Sequence, residues 1–186
     1  MYLDILVLAH LAHRPAHGYE IKKRVDMSIG SAALNNNILY PALRRFQEAG
    51  AIEGELVPQQ GVPPRRVFHL TEIGQDLLRS LLEEFPEELA VSEAEFLTRL
   101  AFFHLIVPRA RLDILTMRER ALRRRIEHLD EMARLADSND EPYAARLLAF
   151  QVRQAERELA WIGEIAAEET RHLDESASGA PEEGRS

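Results

Sequence analysis

Apolar residues near the start of the chain, Ile5, Leu8, Ala9 and Ala12, recur every three or four positions between Leu3 and His13, the period of a helix with one buried face. Arg14-Pro15-Ala16-His17-Gly18 interrupts that period, because proline disfavours helix in the residue before it and glycine permits a corner. A second helix is predicted from Gly18 or Tyr19 to about Met27, with Ile21 and Val25 buried. A polar connector, 28–34, leads into Asn35-Asn36-Asn37, where a side-chain oxygen can accept from the unpaired backbone donors of a following helix. The third helix is predicted from about Asn37 to Ala49, with Gly50 as its stop. Leu39, Ala42, Leu43 and Phe46 share one of its faces, and Asn37, Tyr40, Pro41 and Arg44 lie roughly opposite. Such a helix has a dry side and a side for contact.

Two short runs, Ile52 to Val57 and Arg65 to Leu70, flank a turn-rich stretch with three prolines and a glycine and predict a two-stranded hairpin. Thr71 is the expected cap of a fourth helix that continues through Leu77, Leu78, Leu81 and Leu82 until Phe85-Pro86. Ser92-Glu93-Ala94-Glu95 has capping-box spacing and opens a helix expected to reach Val107, before Pro108. Two long helices follow, parted by residues 137–142. In the last, Leu148, Val152, Ala155, Leu159, Ile162 and Ala166 alternate spacings of four and three, a heptad seam. Leu115, Leu122, Ile126, Leu129, Ala133 and Ala136 fit the same template, with one position given to a charge. The two helices read as an antiparallel pair.

Leu147, Phe150, Trp161 and Ile165 fall outside that seam. They are expected to pack on a partner subunit and its first helix, so that the arm builds a two-fold dimer, with Leu148, Val152, Leu159, Trp161 and Ile162 as dimerisation residues. The predicted fold is mostly α: a winged helix-turn-helix domain over 1–85, an all-helical, coiled-coil-like dimerisation domain over 86–173, and a disordered tail over 174–186.

The chain has 186 residues, 46% hydrophobic and 29% charged, close to the composition of globular proteins. It has no cysteine, which excludes a disulfide framework, a thiolate metal site and a cysteine nucleophile, and makes a reducing cytoplasm the expected location. The apolar run Tyr2 to Ala12 is broken by Asp4 and His10 and lacks a basic leader. It also falls well short of the roughly 20 apolar residues of a membrane span, so no membrane partner is expected. The net charge of −8 argues against a polyanionic partner until its distribution is considered: residues 1–80 carry 9 Lys+Arg against 8 Asp+Glu, and residues 81–186 carry 14 against 23. Affinity for nucleic acid depends on where cations lie on the contacting face, not on the total.

Three helices followed by a hairpin and another helix place the outer face of the third helix in a DNA major groove and the hairpin against flanking backbone. Asn pairs bidentately with adenine, Arg with guanine, and Tyr reaches phosphate or stacks on sugar. Asn36, Asn37, Tyr40 and Arg44 are therefore the candidate groove readers, while Lys22, Lys23, Arg65 and Arg66 are candidates for phosphate neutralisation. Each has a plainer alternative. Lys22, Lys23 and Arg24 also suit a solvated helix face, one of the asparagines suits a cap alone, and Tyr40 can lay its ring on Pro41 or the wing. Arg45 is expected to bridge to an acid such as Glu48.

HGYEIKKRV (17–25), ILYPALRRFQEAGAI (38–52) and PRRVFHLTEIG (64–74) together resemble the PadR-like transcriptional regulators, whose hallmark is a Tyr-Pro-x-Leu segment on the recognition helix with an Arg-rich wing. The likeness covers about residues 3–84, and FLTRLAFFHLI (96–106) with Trp161 extends it to the all-helical carboxy-terminal domain of the long-tailed members. It implies a homodimeric DNA-binding regulator, usually a repressor, often released by a small molecule. An aromatic-lined gap between subunits that holds flat molecules would make Trp161 part of a pocket for a small aromatic effector, although tryptophan is more often core. The connector SIGSAALNNN departs from the Ser or Thr that members often carry there.

Enzyme chemistry finds no support: there is no Gly-rich phosphate loop, HExxH or GxSxG. His10, His13 and His17 have helical spacings suggestive of zinc, but Pro15 interrupts them and no carboxylate completes the set, so neither metal nor cofactor is expected. The competing reading is a winged-helix adaptor or co-regulator that binds protein without DNA, which the acidic total would allow. Steep salt dependence of duplex binding separates the two.

Overall fold

The computed structural model describes residues 1–29, 36–59 and 62–178, with side chains outside the description at 28, 29, 36, 59, 62, 63 and 176–178. The described residues are mostly helical, with a three-stranded antiparallel sheet in which β3 (Val62–Leu70) lies between β1 (Ala16–His17) and β2 (Ile52–Gln59). They divide into two units: Met1–Glu84 with Glu93–Ile106, and Phe85–Ser92 with the chain from Val107 onward.

In the first unit, α1 (Tyr2–His13) is apolar nearly all round and buries Ile5, Leu6, Val7, Leu8, Ala9 and Leu11, which makes it the central helix of the unit. The helices α2 (Gly18–Ile29), α4 (Glu72–Glu83) and α6 (Glu93–Ala101) pack against it, and α3 (Asn36–Glu48) packs on α2 and the hairpin. Ile21 and Val25 of α2 and Leu39, Leu43 and Phe46 of α3 are all buried. The hairpin is longer than its apolar runs: β2 is Ile52–Gln59 and β3 Val62–Leu70, with a register shift between Val57 and Gln59. The Arg14–Gly18 break contains β1 (Ala16–His17), which pairs with β3 through Ala16↔Phe68 and His17↔Val67. Two residues carry no period, so nothing in the pattern announces this strand. Gly50 ends α3 with φ +69, and Thr71 caps α4 by accepting from the Gly74 N–H at 3.1 Å.

The sequence places the domain boundary at 85, whereas Glu93–Ile106 belongs to the first contact unit. Arg99, with 0% exposure, anchors it. Its guanidinium donates to Glu95 Oε2 at 2.7 Å and to the carbonyls of Leu81 and Glu84 at 3.1 and 3.0 Å, closing the end of α4. Glu95 is thereby drawn inward, where its Oε1 also accepts from the Tyr2 N–H at 2.9 Å. The helix expected to reach Val107 ends instead at Ala101, and a 3₁₀ turn, Phe103–Leu105, swings Phe103 and Ile106 into buried positions.

The second unit is an α-hairpin, α7 (Pro108–Ser138) packed along α8 (Pro142–Ser178), together with the short α5 (Glu87–Ala90). Both long helices open on proline, which fits the first turn, and Asp140 takes the positive φ of the turn between them. Leu115, Leu122, Leu129 and Ala136 of α7 and Val152, Ala155 and Ile162 of α8 are buried along the seam. The alternation gives its charged position to Glu119, but the charge that is buried is the neighbouring Arg118, 1% exposed, which donates to both carboxylate oxygens of Glu158 at 2.7 and 2.9 Å and to the Ala90 carbonyl at 2.7 Å. A second rung joins Arg111 to Glu169 at 3.1 Å. The helix α8 continues to Ser178, into the segment expected as a tail, and 179–186 lie outside the described residues.

Candidate nucleic-acid interface

The helix α3 presents two chemistries because its apolar residues repeat at helical spacing and its polar residues fill the remaining positions. Leu39 and Leu43 are each 1% exposed and Phe46 3%, while Asn37, Tyr40, Pro41 and Arg44 are exposed on the other side. Asn36 starts the helix, but its side chain lies outside the described residues. Arg45 meets Asp4 of α1 rather than Glu48, a tertiary partner that local spacing could not reveal. That ion pair ties the base of α3 to the central helix.

Glycine at two positions lets the neighbouring elements close on this face. A Cβ at Gly18 would lie 3.1 Å from Tyr40 Cε1 and 3.2 Å from its hydroxyl, so the Tyr40 ring rests against the start of α2 rather than on Pro41. A Cβ at Gly54 would lie 2.9 Å from Gln47 Nε2 and 3.0 Å from Arg66 Cδ. The bare backbone of β2 thus lets the Arg66 stem lie flat and end beside α3. Such snorkelling keeps the methylenes packed and the charge in water.

The result is a cleft of about 580 Å³ bordered by Tyr40, Arg44 and Gln47 of α3, Arg65 and Arg66 of β3, and His17, Gly18 and Tyr19 where β1 passes into α2. Arg65 and Arg66 are exposed, as is Lys23, and Lys22 is half-buried. A second cleft, also about 580 Å³, adjoins it across His17, Tyr19 and Arg65 and is bordered by Arg14, Lys23 and Arg24. Arg24 spans two turns of chain, donating to the carbonyls of His10 and Arg14. Burial, reinforced by Arg24 and His13, holds the His10 imidazole below the usual histidine range. Among the described residues, no group of three or more His, Cys, Asp or Glu is placed to hold a metal ion.

Tyr40, Arg44, Arg65 and Arg66 therefore come together on one face, with Lys23 on the adjoining cleft. Sequence reasoning overlooked His17, Tyr19 and Gln47 as members of that face. Tyr19 is 70% exposed although aromatic, and its place beside His17 within HGYEIKKRV was the available signal. The dimerisation residues divide: Val152 and Ile162 are buried by the chain's own α7–α8 pairing, and Leu148 and Leu159 are half-buried. Trp161 is 41% exposed, and Leu147 and Phe150 lie exposed on the same helix.

Among the described residues no helix is long and apolar enough to cross a membrane. Comparison with curated proteins gives no match. A PadR family transcription regulator from Clostridium difficile R20291 is 32% identical over 42% of this chain and 80% of its own, with a TM-score of 0.38. The structure of Bacillus subtilis PadR in complex with operator DNA is similar over 89% of this chain and 96% of its own, at 18% identity and a TM-score of 0.42. The same protein in complex with p-coumaric acid covers 91% of this chain and 99% of its own, at 17% identity and a TM-score of 0.38. The transcriptional regulator PadR-like family matches residues 7–80, the stretch that holds α2, α3 and the wing, and with the identity to the C. difficile regulator this places the chain in the PadR-like family of transcriptional regulators.

Proposed function

We propose that this regulator is a cytoplasmic homodimer that represses transcription by occupying an inverted-repeat operator. The helix α3 enters the major groove with Asn36, Asn37, Tyr40 and Arg44, and Lys22, Lys23, Arg65 and Arg66 neutralise flanking phosphates. The observation that carries this reading is the convergence of Tyr40, Arg44, Arg65 and Arg66 around one open cleft, on the face of α3 opposite its buried leucines. Hydrogen-bonding side chains with cations on both sides match what a groove and its phosphates require.

In this reading residues 1–85 bind DNA and 86–173 pair the subunits. Leu147, Phe150 and Trp161 of α8 are the apolar groups left for a second copy to cover, and Leu148, Val152, Leu159 and Ile162 hold the helix that presents them. Two recognition helices reach successive major grooves when they stand roughly 34 Å apart. An effector that prefers a dimer with other spacing would lower DNA occupancy by shifting that population. A flat aromatic acid is the class we propose for it, with Trp161 as a wall of its pocket.

Binding of the full chain to the duplex immediately upstream of its own gene tests the reading, with Tyr40→Ala and Arg44→Ala beside it. Each substitution is expected to weaken specific binding by about tenfold or more, the discrimination carried by one good base contact. Binding unchanged in both variants would remove α3 as the reader.

A further inference from the structure

The cleft between α3 and the wing offers more than a duplex can use. Its lining includes the buried apolar side chains of Leu43 and Phe68 and the exposed rings of Tyr19 and Tyr40. The Tyr19 ring stands near-parallel to that of His17, at 26° with 6.5 Å between centroids, and the Tyr40 ring leans on Gly18. A stacked duplex presents phosphates, sugars and the edges of its bases. Ring faces are open only on a base that is unstacked or free, and aromatic side chains bind those faces. The tyrosines therefore suit a flat ring that is not part of a duplex. Charge narrows the class further. Among the described residues no carboxylate borders this cleft, although the chain carries 31 Asp+Glu. The exposed Arg45, Arg79, Arg123 and Arg124 each meet an acid, whereas no ion pair among the described residues reaches Arg44, Arg65 or Arg66. Arg65 donates to His17 Nε2 at 3.4 Å, a partner that brings no negative charge. Three guanidiniums around one recess favour a ligand with more than one negative charge. Gln47 adds a donor and an acceptor on one amide, the pair that matches the edge of adenine. At about 580 Å³ the cleft has the size of a small-molecule site.

We propose that this cleft binds a free adenine nucleotide, its ring on the tyrosines, its base edge at Gln47 and its phosphates on the three arginines, and that the bound nucleotide keeps the duplex off α3. The exclusion rests on the reading of the chain as a DNA-binding regulator; the site does not. Regulation here differs in kind from an effector at Trp161. That effector would act through the spacing of the dimer, whereas the nucleotide occupies the contact face itself and competes for the same cations. A simple aromatic acid shares the flat ring but brings one charge to three guanidiniums and nothing to Gln47, which favours the nucleotide.

The test measures ADP on the full chain, as displacement of its fluorescent N-methylanthraniloyl derivative, and measures the labelled upstream duplex separately by anisotropy. ADP is expected to displace the probe at least about tenfold better than adenosine or inorganic pyrophosphate, each of which keeps only part of the ligand. Pyrophosphate acting as well as ADP would reduce the cleft to a general cation patch and overturn the site, and stronger displacement by benzoate would assign it to aromatic acids and overturn the nucleotide. Tyr19→Ala should weaken ADP by about tenfold, the scale of one base–aromatic stack, and leave duplex binding within about twofold. Unchanged ADP binding in that variant, or equal losses of ADP and duplex, would overturn the assignment of Tyr19 to a free ring. Trp161→Ser should leave ADP binding unaltered, and a loss there would move the site to α8 and overturn it. Rising ADP should raise the apparent Kd of the duplex without a plateau, whereas a plateau would put the two ligands on separate sites and overturn the exclusion. ADP bound by a chain that holds no duplex removes the regulator reading and keeps the site; duplex binding by a chain that holds no ADP removes the site alone.

Discussion

Arg99 and Arg118 are the enclosed arginines among the described residues, and each fastens a chain end that would otherwise leave carbonyls unpaired. Arg99 closes α4 through Leu81 and Glu84 and holds Glu95, and Arg118 binds Ala90 and Glu158. Removing one member of a buried pair strands the other, so Arg99→Met is expected to cost about 3–5 kcal/mol by thermal or urea unfolding. Burial alone would raise the Glu95 pKa, but the hydrogen bonds from Arg99 and the Tyr2 N–H outweigh it and leave the carboxyl below its usual range. A carboxyl held low in the folded state contributes stability that is fully present above its unfolded value and is lost as pH falls through the folded one. The His10 imidazole is also held low, and for a base the cost appears as pH falls below about 6.5, where the unfolded ring takes up its proton. Both groups therefore erode stability on the acid side. Urea titrations from neutral pH downward should show a monotonic decline that Glu95→Gln flattens below the carboxylate range, and an unaltered acid limb in that variant would contradict the assignment.

At the scale of elements, the proposed function has each cation of the wing meet one phosphate. Arg65→Gln and Arg66→Gln should each reduce the slope of log affinity against log salt by about one, with little change in base preference, whereas a loss confined to one operator base would make either arginine a reader. The stripes of α3 were legible in the sequence because thirteen helical residues give the period several chances to repeat. The wing was legible from its flanking Val, Ile and Phe, although its strands run two or more residues beyond those runs, since pairing resumes at Gln59 and Val62 after a register shift that the prolines there do not announce. The strand β1 was not legible, nor was the break after Ala101, because a two-residue strand has no period and the 3₁₀ turn is set by the tertiary burial of Phe103 and Ile106. Arg118 was not legible, because the alternation that marks the seam falls on Glu119 instead. The partner of Arg118, Glu158, lies 40 positions away. In the same way Tyr19 and His17 belong to the cleft through β1–β3 pairing that no local pattern encodes.

Over the whole molecule the proposed DNA face lies on the near-neutral half and the acidic surplus on the helical half, so the total of −8 says little about that face. Leu147, Phe150 and Trp161 are exposed on α8, and the proposed dimer would cover them. Sedimentation velocity should show a dimer that Phe150→Ser with Trp161→Ser shifts toward monomer without loss of helicity, since neither residue belongs to the buried α7–α8 seam. A dimer of unchanged strength would move the interface elsewhere. The most direct test of the account is the affinity of the wild-type chain for its upstream duplex as salt is raised. Six or more phosphate contacts from two subunits predict a fall on the order of 10³-fold between roughly 50 and 200 mM. An affinity that scarcely responds to salt would contradict a cationic face on a nucleic-acid groove.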